Sequence, residues 1–178
     1  DSREEYTHIL IDCPPSLSLL TIMALVASNS LIVPLQTEFF ALEGVTQLIK
    51  TIERIKSNLN PELVIRGILL TMYDKRNKLS SQVEKEARDY FKEQVYETIV
   101  PRNVRLSEAP SHGIPVLIYD KTCPGSKSYF SFTEEFLNHV SQTFQEFYQQ
   151  KFVIHYHLLQ LLLRNSSWVP EASKFQSL

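Results

Sequence analysis

Asp12 stands at the end of the apolar run Ile9-Leu10-Ile11 and directly before Cys13-Pro14-Pro15-Ser16. A short continuous apolar run is the pattern of a strand buried on both faces. Pro14 and Pro15 have no N–H to donate, so the ladder stops there and Asp12 falls at the strand's carboxyl end. Open α/β sheets bind their ligands at that edge. A carboxylate in that place can hold a Mg²⁺ ion, usually through water, beside a phosphate. An aspartate that merely caps a loop has the same short pattern, so Asp12 alone does not decide between the two.

A second set of candidates is basic. Lys75, Arg76 and Lys78 follow the apolar run Val64–Met72, and Arg102 and Arg105 follow the run Val95–Val100. A guanidinium can hold a phosphate through two parallel hydrogen bonds. Such contacts grip a nucleic-acid backbone and carry no base information; a solvated loop is the plain alternative. Met72 and Pro101, at the ends of those two runs, could sandwich a flat ring, with Asn103 placed to meet its polar edge. Packing for Met72 and turn formation for Pro101 are the competing readings. His112 has no second histidine or cysteine at metal-ligand spacing and reads as structural. Cys13 has no visible basic partner to make it a nucleophile. No Ser/His/Asp signature is present.

The elements that must position these residues alternate. Leu31–Leu35, Val64–Met72 and Val95–Val100 read as strands, with Pro34 ending or bulging the first of them. Leu17 to Val26 reads as a helix with Ser16 as its N-cap. Val45, Leu48, Ile49, Ile52 and Ile55 mark one face of a second helix. Val83, Ala87, Tyr90 and Phe91 mark a third, capped by Ser80 or Ser81, and a fourth runs from Ser126 to about Tyr148 after a Pro124-Gly125 turn. The stretch 101–109 reads as a loop with one helical turn, and 114–118 as edge or extended chain. This alternation predicts an α/β fold with a mostly parallel sheet covered by helices on both faces. Phe152 to Leu163 is apolar nearly all round and is expected to form an added helix.

Composition sets outer bounds. With 178 residues and 43% hydrophobic content the chain can bury one real core. A formal net charge of −2 rules out a globally basic nucleic-acid binder and leaves room for a local patch. Two cysteines form no disulfide framework, which fits a reduced, cytoplasmic setting. No apolar run approaches the roughly 20 residues of a membrane span, and no signal-peptide pattern is present.

Four blocks together carry a family resemblance. Ile9-Leu10-Ile11-Asp12-Cys13-Pro14-Pro15-Ser16 with Leu19-Leu20-Thr21-Ile22 resembles the Walker B strand and switch II loop of the ParA/Soj chromosome-partitioning ATPases. Glu38-Phe39-Phe40-Ala41-Leu42-Glu43-Gly44, Leu69-Leu70-Thr71-Met72-Tyr73-Asp74 and the long block Pro101 to Gly113 follow in that family's order and spacing. The match runs from about Tyr6 to about Val140. The family's Gly-rich deviant Walker A loop belongs upstream of Asp12 and has no counterpart in this sequence.

The resemblance implies a P-loop NTPase-like fold of the deviant Walker A class, N-terminally truncated. Residues 1–148 would be the C-terminal part of the ATPase domain and 149–178 an extra tail outside the family pattern. It implies that Asp12 helps hold Mg²⁺ through water, that Pro14, Pro15 and Ser16 form the switch loop, and that Met72, Tyr73, Pro101, Arg102 and Asn103 surround the adenine. It places sequence-independent DNA contacts at Arg76 and Arg105. The intact parent would bind ATP and Mg²⁺, dimerise, coat DNA, respond to a ParB-type partner, and act in the cytoplasm at the nucleoid to partition chromosomes or plasmids. The chain alone is expected to bind no nucleotide and to be inactive. Two rival readings are a non-catalytic remnant or interaction module, and a MinD-like membrane-associated ATPase. The block Pro101 to Gly113 and the near absence of a polar face on Phe152–Leu163 speak against the membrane.

Overall fold

The computed structural model describes residues 8–13, 18–143 and 150–155. The elements in chain order are β1 (His8–Cys13), α1 (Leu19–Ala27), β2 (Ser30–Gln36), α2 (Ala41–Asn58), β3 (Val64–Tyr73), α3 (Lys78–Phe91), β4 (Val95–Pro101), α4 (Val104–Glu108), α5 (Val116–Tyr119), α6 (Pro124–Thr143) and β5 (Gln150–His155). Short 3₁₀ turns at Lys92–Gln94 and Ala109–His112 link α3 to β4 and α4 to α5. The strands form one five-stranded sheet in the order β1-β5-β2-β3-β4. Every pair in it is parallel.

The two-residue period of the strands sorts the core into two layers. Leu31, Val33 and Leu35 of β2 and Ile68 and Leu70 of β3 point to one face, where Leu25, Val45, Ile52, Ile55, Ala87 and Phe91 of the first three helices cover them. Ile32 and Leu69 point to the other face, against Val116, Leu117, Tyr129, Phe132 and Phe136. The expected parallel sheet with helices on both faces is therefore the observed architecture. A Cβ on Gly67 would run into the Tyr96 ring. That glycine lets the buried tyrosine lie against β3, where it meets Phe132 edge-on at 4.9 Å.

Several local expectations change. The helix expected over Phe152–Leu163 starts instead as strand β5, and its remainder lies outside the described residues. β5 pairs with β1 along its whole length and with Ser30–Ile32 of β2. A position between two strands suits a segment that is apolar all round better than a helical surface would. Pro34 neither ends nor bulges β2, which runs on to Gln36. Pairing with β5 has already stopped at Ile32, so the missing proline N–H falls where β2 has β3 alone as neighbour. The extended reading of 114–118 holds at Pro115 (φ −64°, ψ 146°), after which Val116–Tyr119 forms a helical turn. Pro124 opens α6 rather than a turn, since a first-turn N–H has no intrahelical partner to lose. Ser18 caps α1, and Ser16 lies outside the described residues. Asn77 caps α3 by accepting from the Leu79 N–H at 3.0 Å, in place of Ser80 or Ser81.

β4 is an edge strand. Glu135 of α6 reaches over it and accepts from the Glu97 N–H at 2.7 Å and the Thr98 N–H at 2.9 Å. Backbone donors that would otherwise invite another strand are thereby occupied.

Candidate functional site at the carboxyl edge of the sheet

Parallel pairing brings the carboxyl ends of all the strands to one edge, so every strand-end candidate shares it. Asp12 is half-buried at the end of β1. Met72 and Tyr73 end β3, and Pro101 ends β4 directly beside Tyr73 in the register. The Arg102 N–H donates to the Tyr73 carbonyl at 2.9 Å. Met72, Tyr73, Pro101, Arg102 and Asn103 thus come together on two adjoining strand ends. Asp12 does not join them. β5 and β2 stand between β1 and β3, a separation of about 14 Å at the usual strand spacing. Pro14, Pro15 and Ser16 lie outside the described residues.

Met72 has φ 56°, a left-handed conformation that is uncommon for a side chain with a Cβ. A polar clasp surrounds it. The Thr37 N–H donates to the Thr71 carbonyl at 3.0 Å, and the Thr37 hydroxyl lies 3.4 Å from the Met72 carbonyl. Ser80 meets Thr37 at 3.3 Å, and its hydroxyl accepts from the Asp74 N–H at 3.4 Å. Both hydroxyl residues are buried. The clasp ties the ends of β2 and β3 to α3 and holds the strained turn in place. Sequence reading passes over Thr37, because a hydroxyl between apolar runs looks like any loop residue, and takes Ser80 only as a helix cap.

Arg76, Arg102 and Arg105 are all engaged. Arg76 grips Asp74 side-on, Nε to Oδ1 at 3.1 Å and Nη2 to Oδ2 at 3.0 Å, while the Arg76 N–H also donates to Oδ1 at 3.0 Å. These bonds hold the Asp74 carboxyl down at about 2. Arg102 bridges to Glu38, beyond β2, at 3.0 Å. Arg105 bonds Glu108 at 2.8 Å and lies 3.6 Å from Asp120. Its guanidinium carbon sits 5.9 Å from the Tyr119 ring centroid, and His112 stacks on that ring at 4.9 Å. The Tyr119 hydroxyl meets the same Glu108 oxygen at 3.3 Å. Asp120 is held below the usual carboxylate range mainly by its hydrogen bonds from Thr122. The Asn103 side-chain oxygen caps α4 through the Arg105 N–H at 2.9 Å, which leaves its amide nitrogen as the half that could face a ligand. The i,i+3 spacing of Arg105 and Glu108 is a signal that sequence carries for such a pair; the two-residue spacing of Asp74 and Arg76 and the 64 residues between Glu38 and Arg102 carry none.

Burial pushes the Cys13 thiol up, and the charge of Asp12 adds to that, so it stays a protonated, inert side chain. As a hard carboxylate at a strand end, Asp12 fits one position on a Mg²⁺ ion. Among the described residues no group of three His, Cys, Asp or Glu side chains could enclose a metal ion. An open groove of about 750 Å³ lies at the other end of β4, lined by Arg88, Lys92, Glu135 and His139 among others. It is remote from the strand carboxyl ends, and the chemistry-bearing residues argue for the latter. Among the described residues no helix is long and apolar enough to cross a membrane.

Known proteins similar to this chain point one way. A family model described as an AAA domain matches residues 1–65. The chain is 56% identical over 133 residues to the chromosome partitioning protein ParA of Caulobacter vibrioides, covering 75% of this chain and 50% of that protein. It is 50% identical over 133 residues to the sporulation initiation inhibitor protein Soj of Bacillus subtilis, covering 75% of this chain and 53% of that one. The chain thus spans about half the length of the curated relatives it matches. Among solved structures it is similar to cobyrinic acid a,c-diamide synthase from Mycobacterium smegmatis with bound ADP and magnesium. The TM-score is 0.58 with 31% identity, over 79% of this chain and 49% of that one.

Proposed function

The chain belongs to the ParA/Soj family of chromosome-partitioning ATPases, and on that premise we propose that it forms the base-binding and DNA-contacting part of such an ATPase. In this reading Met72, Tyr73, Pro101, Arg102 and Asn103 surround an adenine, and Asp12 helps hold Mg²⁺ through water beside the phosphates. Pro14, Pro15 and Ser16 form the loop that responds to the terminal phosphate. The four glycines, Gly44, Gly67, Gly113 and Gly125, are scattered, so no Gly-rich phosphate cradle occurs within these 178 residues. Another segment must supply one before nucleotide binds. Phosphoryl transfer relies on positioning and charge neutralisation, which one carboxylate cannot deliver alone.

The observation that carries the reading is the meeting of the β3 and β4 ends, Tyr73 beside Pro101, with Arg76 in the turn after β3 and Arg105 in α4, just after β4. Segments that leave one base platform in this way would couple nucleotide occupancy to a phosphate grip on DNA. The cycle proposed is ATP-dependent dimerisation, sequence-independent DNA binding in the cytoplasm at the nucleoid, and release when a ParB-type partner stimulates hydrolysis. Chromosomes or plasmids are the cargo. The test uses full-length protein carrying this chain, with Mg-ATP. Arg76→Glu and Arg105→Glu should each abolish binding to two unrelated duplexes, measured by fluorescence anisotropy. Both side chains are exposed and outside the core, so the fold should survive the change, with unfolding midpoints measured alongside to separate loss of binding from the lost Asp74 and Glu108 pairs. Undiminished binding by both variants would overturn the DNA part of the reading.

A further inference from the structure

Among the described residues, each arginine at the carboxyl edge of the sheet has a carboxylate of its own: Arg76 has Asp74, Arg102 has Glu38, and Arg105 has Glu108. We propose that Asp74 and Glu108 are internal competitors of the nucleic-acid backbone, occupying the guanidinium edges of Arg76 and Arg105 and so setting the strength and salt dependence of the phosphate grip. The inference rests on the DNA-contact reading above and adds residues that it does not include.

The geometry carries it. The Nε and Nη2 of Arg76 point at the two oxygens of Asp74 at 3.1 and 3.0 Å, the side-on fork that a phosphodiester would otherwise take. Arg76 is 90% exposed, so burial does not force the pair together; the two-residue turn does, by also giving Asp74 the Arg76 N–H. Arg105 is held more completely, with Glu108 on Nη1, Asp120 near Nε and the Tyr119 ring beneath. An incoming phosphate must displace the carboxylate or bind a pair whose local charge is already cancelled. Either way the fixed negative charge opposes it. A weak grip, easily released, suits a protein that must leave DNA again.

Asn in place of Asp74 keeps the oxygen that accepts the Arg76 N–H, so the turn survives while the charge goes. Gln in place of Glu108 does the same for shape at the second site. In full-length protein with Mg-ATP, Asp74→Asn and Glu108→Gln should each tighten duplex DNA binding by about twofold to fivefold at low salt, the scale of an exposed ion pair. Each should steepen the log–log salt dependence by up to about 0.9, one further phosphate neutralised. The gain from Asp74→Asn should be smaller in an Arg76→Ala background, where only the bare repulsion of the carboxylate is relieved. Unchanged or weaker binding by both carboxylate variants overturns the inference while leaving the DNA reading intact, provided Arg76→Glu and Arg105→Glu still lose binding. If those two bind normally, both proposals fall.

Discussion

Replacing Met72 with glycine should leave a more stable protein than replacing it with alanine. The usual order is the reverse. In ordinary backbone, alanine is favoured because glycine loses more freedom on folding, by about 0.4–1 kcal/mol. Met72 has φ 56°, where a Cβ crowds the carbonyl oxygen at a cost of about 1–2 kcal/mol. Both variants lose the same methionine side chain, so its packing cancels in the comparison. Subtracting the midpoint of the chain-entropy loss, about 0.7, from that of the relieved strain, about 1.5, leaves glycine ahead by about 0.8 kcal/mol. For a chain of 178 residues that is a rise in Tm of about 1–4 °C. Urea unfolding of the two variants, followed by circular dichroism, measures the difference directly. An alanine variant equal to or more stable than the glycine one would refute the strain. It would also remove the reason for the clasp of Thr37 and Ser80 around this turn.

Two further outcomes follow from single contacts. Glu135→Ala should cost about 1–3 kcal/mol, because the carboxylate accepts from both the Glu97 and Thr98 N–H groups. With the β4 edge opened, the variant should also elute from size exclusion at a larger, concentration-dependent size. The Asp74 carboxyl should titrate at about 2, its value while Arg76 hydrogen-bonds it. A depressed carboxylate stabilises the fold above its unfolded value of about 4, and that contribution fades as pH falls through the folded value. The Asp74–Arg76 contribution is therefore fully present at neutral pH and lost between about pH 4 and pH 2. Followed by NMR carboxyl shifts, that titration should move up toward the ordinary range in Arg76→Ala, with the residue-76 N–H bond left to hold part of the depression.

Local pattern sufficed for everything that depends on a residue's own neighbours. The apolar run before Asp12, the two-residue period of β2 and β3, and the spacing of Val45, Ile52 and Ile55 report which face of each element is buried. Element type and the strand-end positions of Asp12, Met72 and Pro101 follow from that. So does the parallel sheet, since strands separated by helices have little other choice. Tertiary structure alone decided which elements meet. Strand order sets Asp12 three strands from the Met72 and Pro101 platform, and β5 enters between β1 and β2 although its apolar run reads as a helix in sequence. Burial on all sides looks the same in either periodicity, and only the waiting strand edges distinguish them. Glu38 and Arg102 find each other because the ends of β2 and β4 flank β3. Thr37 becomes a clasp because β2 ends beside a turn that needs one. Residue pattern reports most elements and the chemistry at their ends, with β5 and the turn at Val116–Tyr119 as exceptions; packing across the sheet decides which charges are paired, because hydrogen-bond partners are chosen by proximity in space.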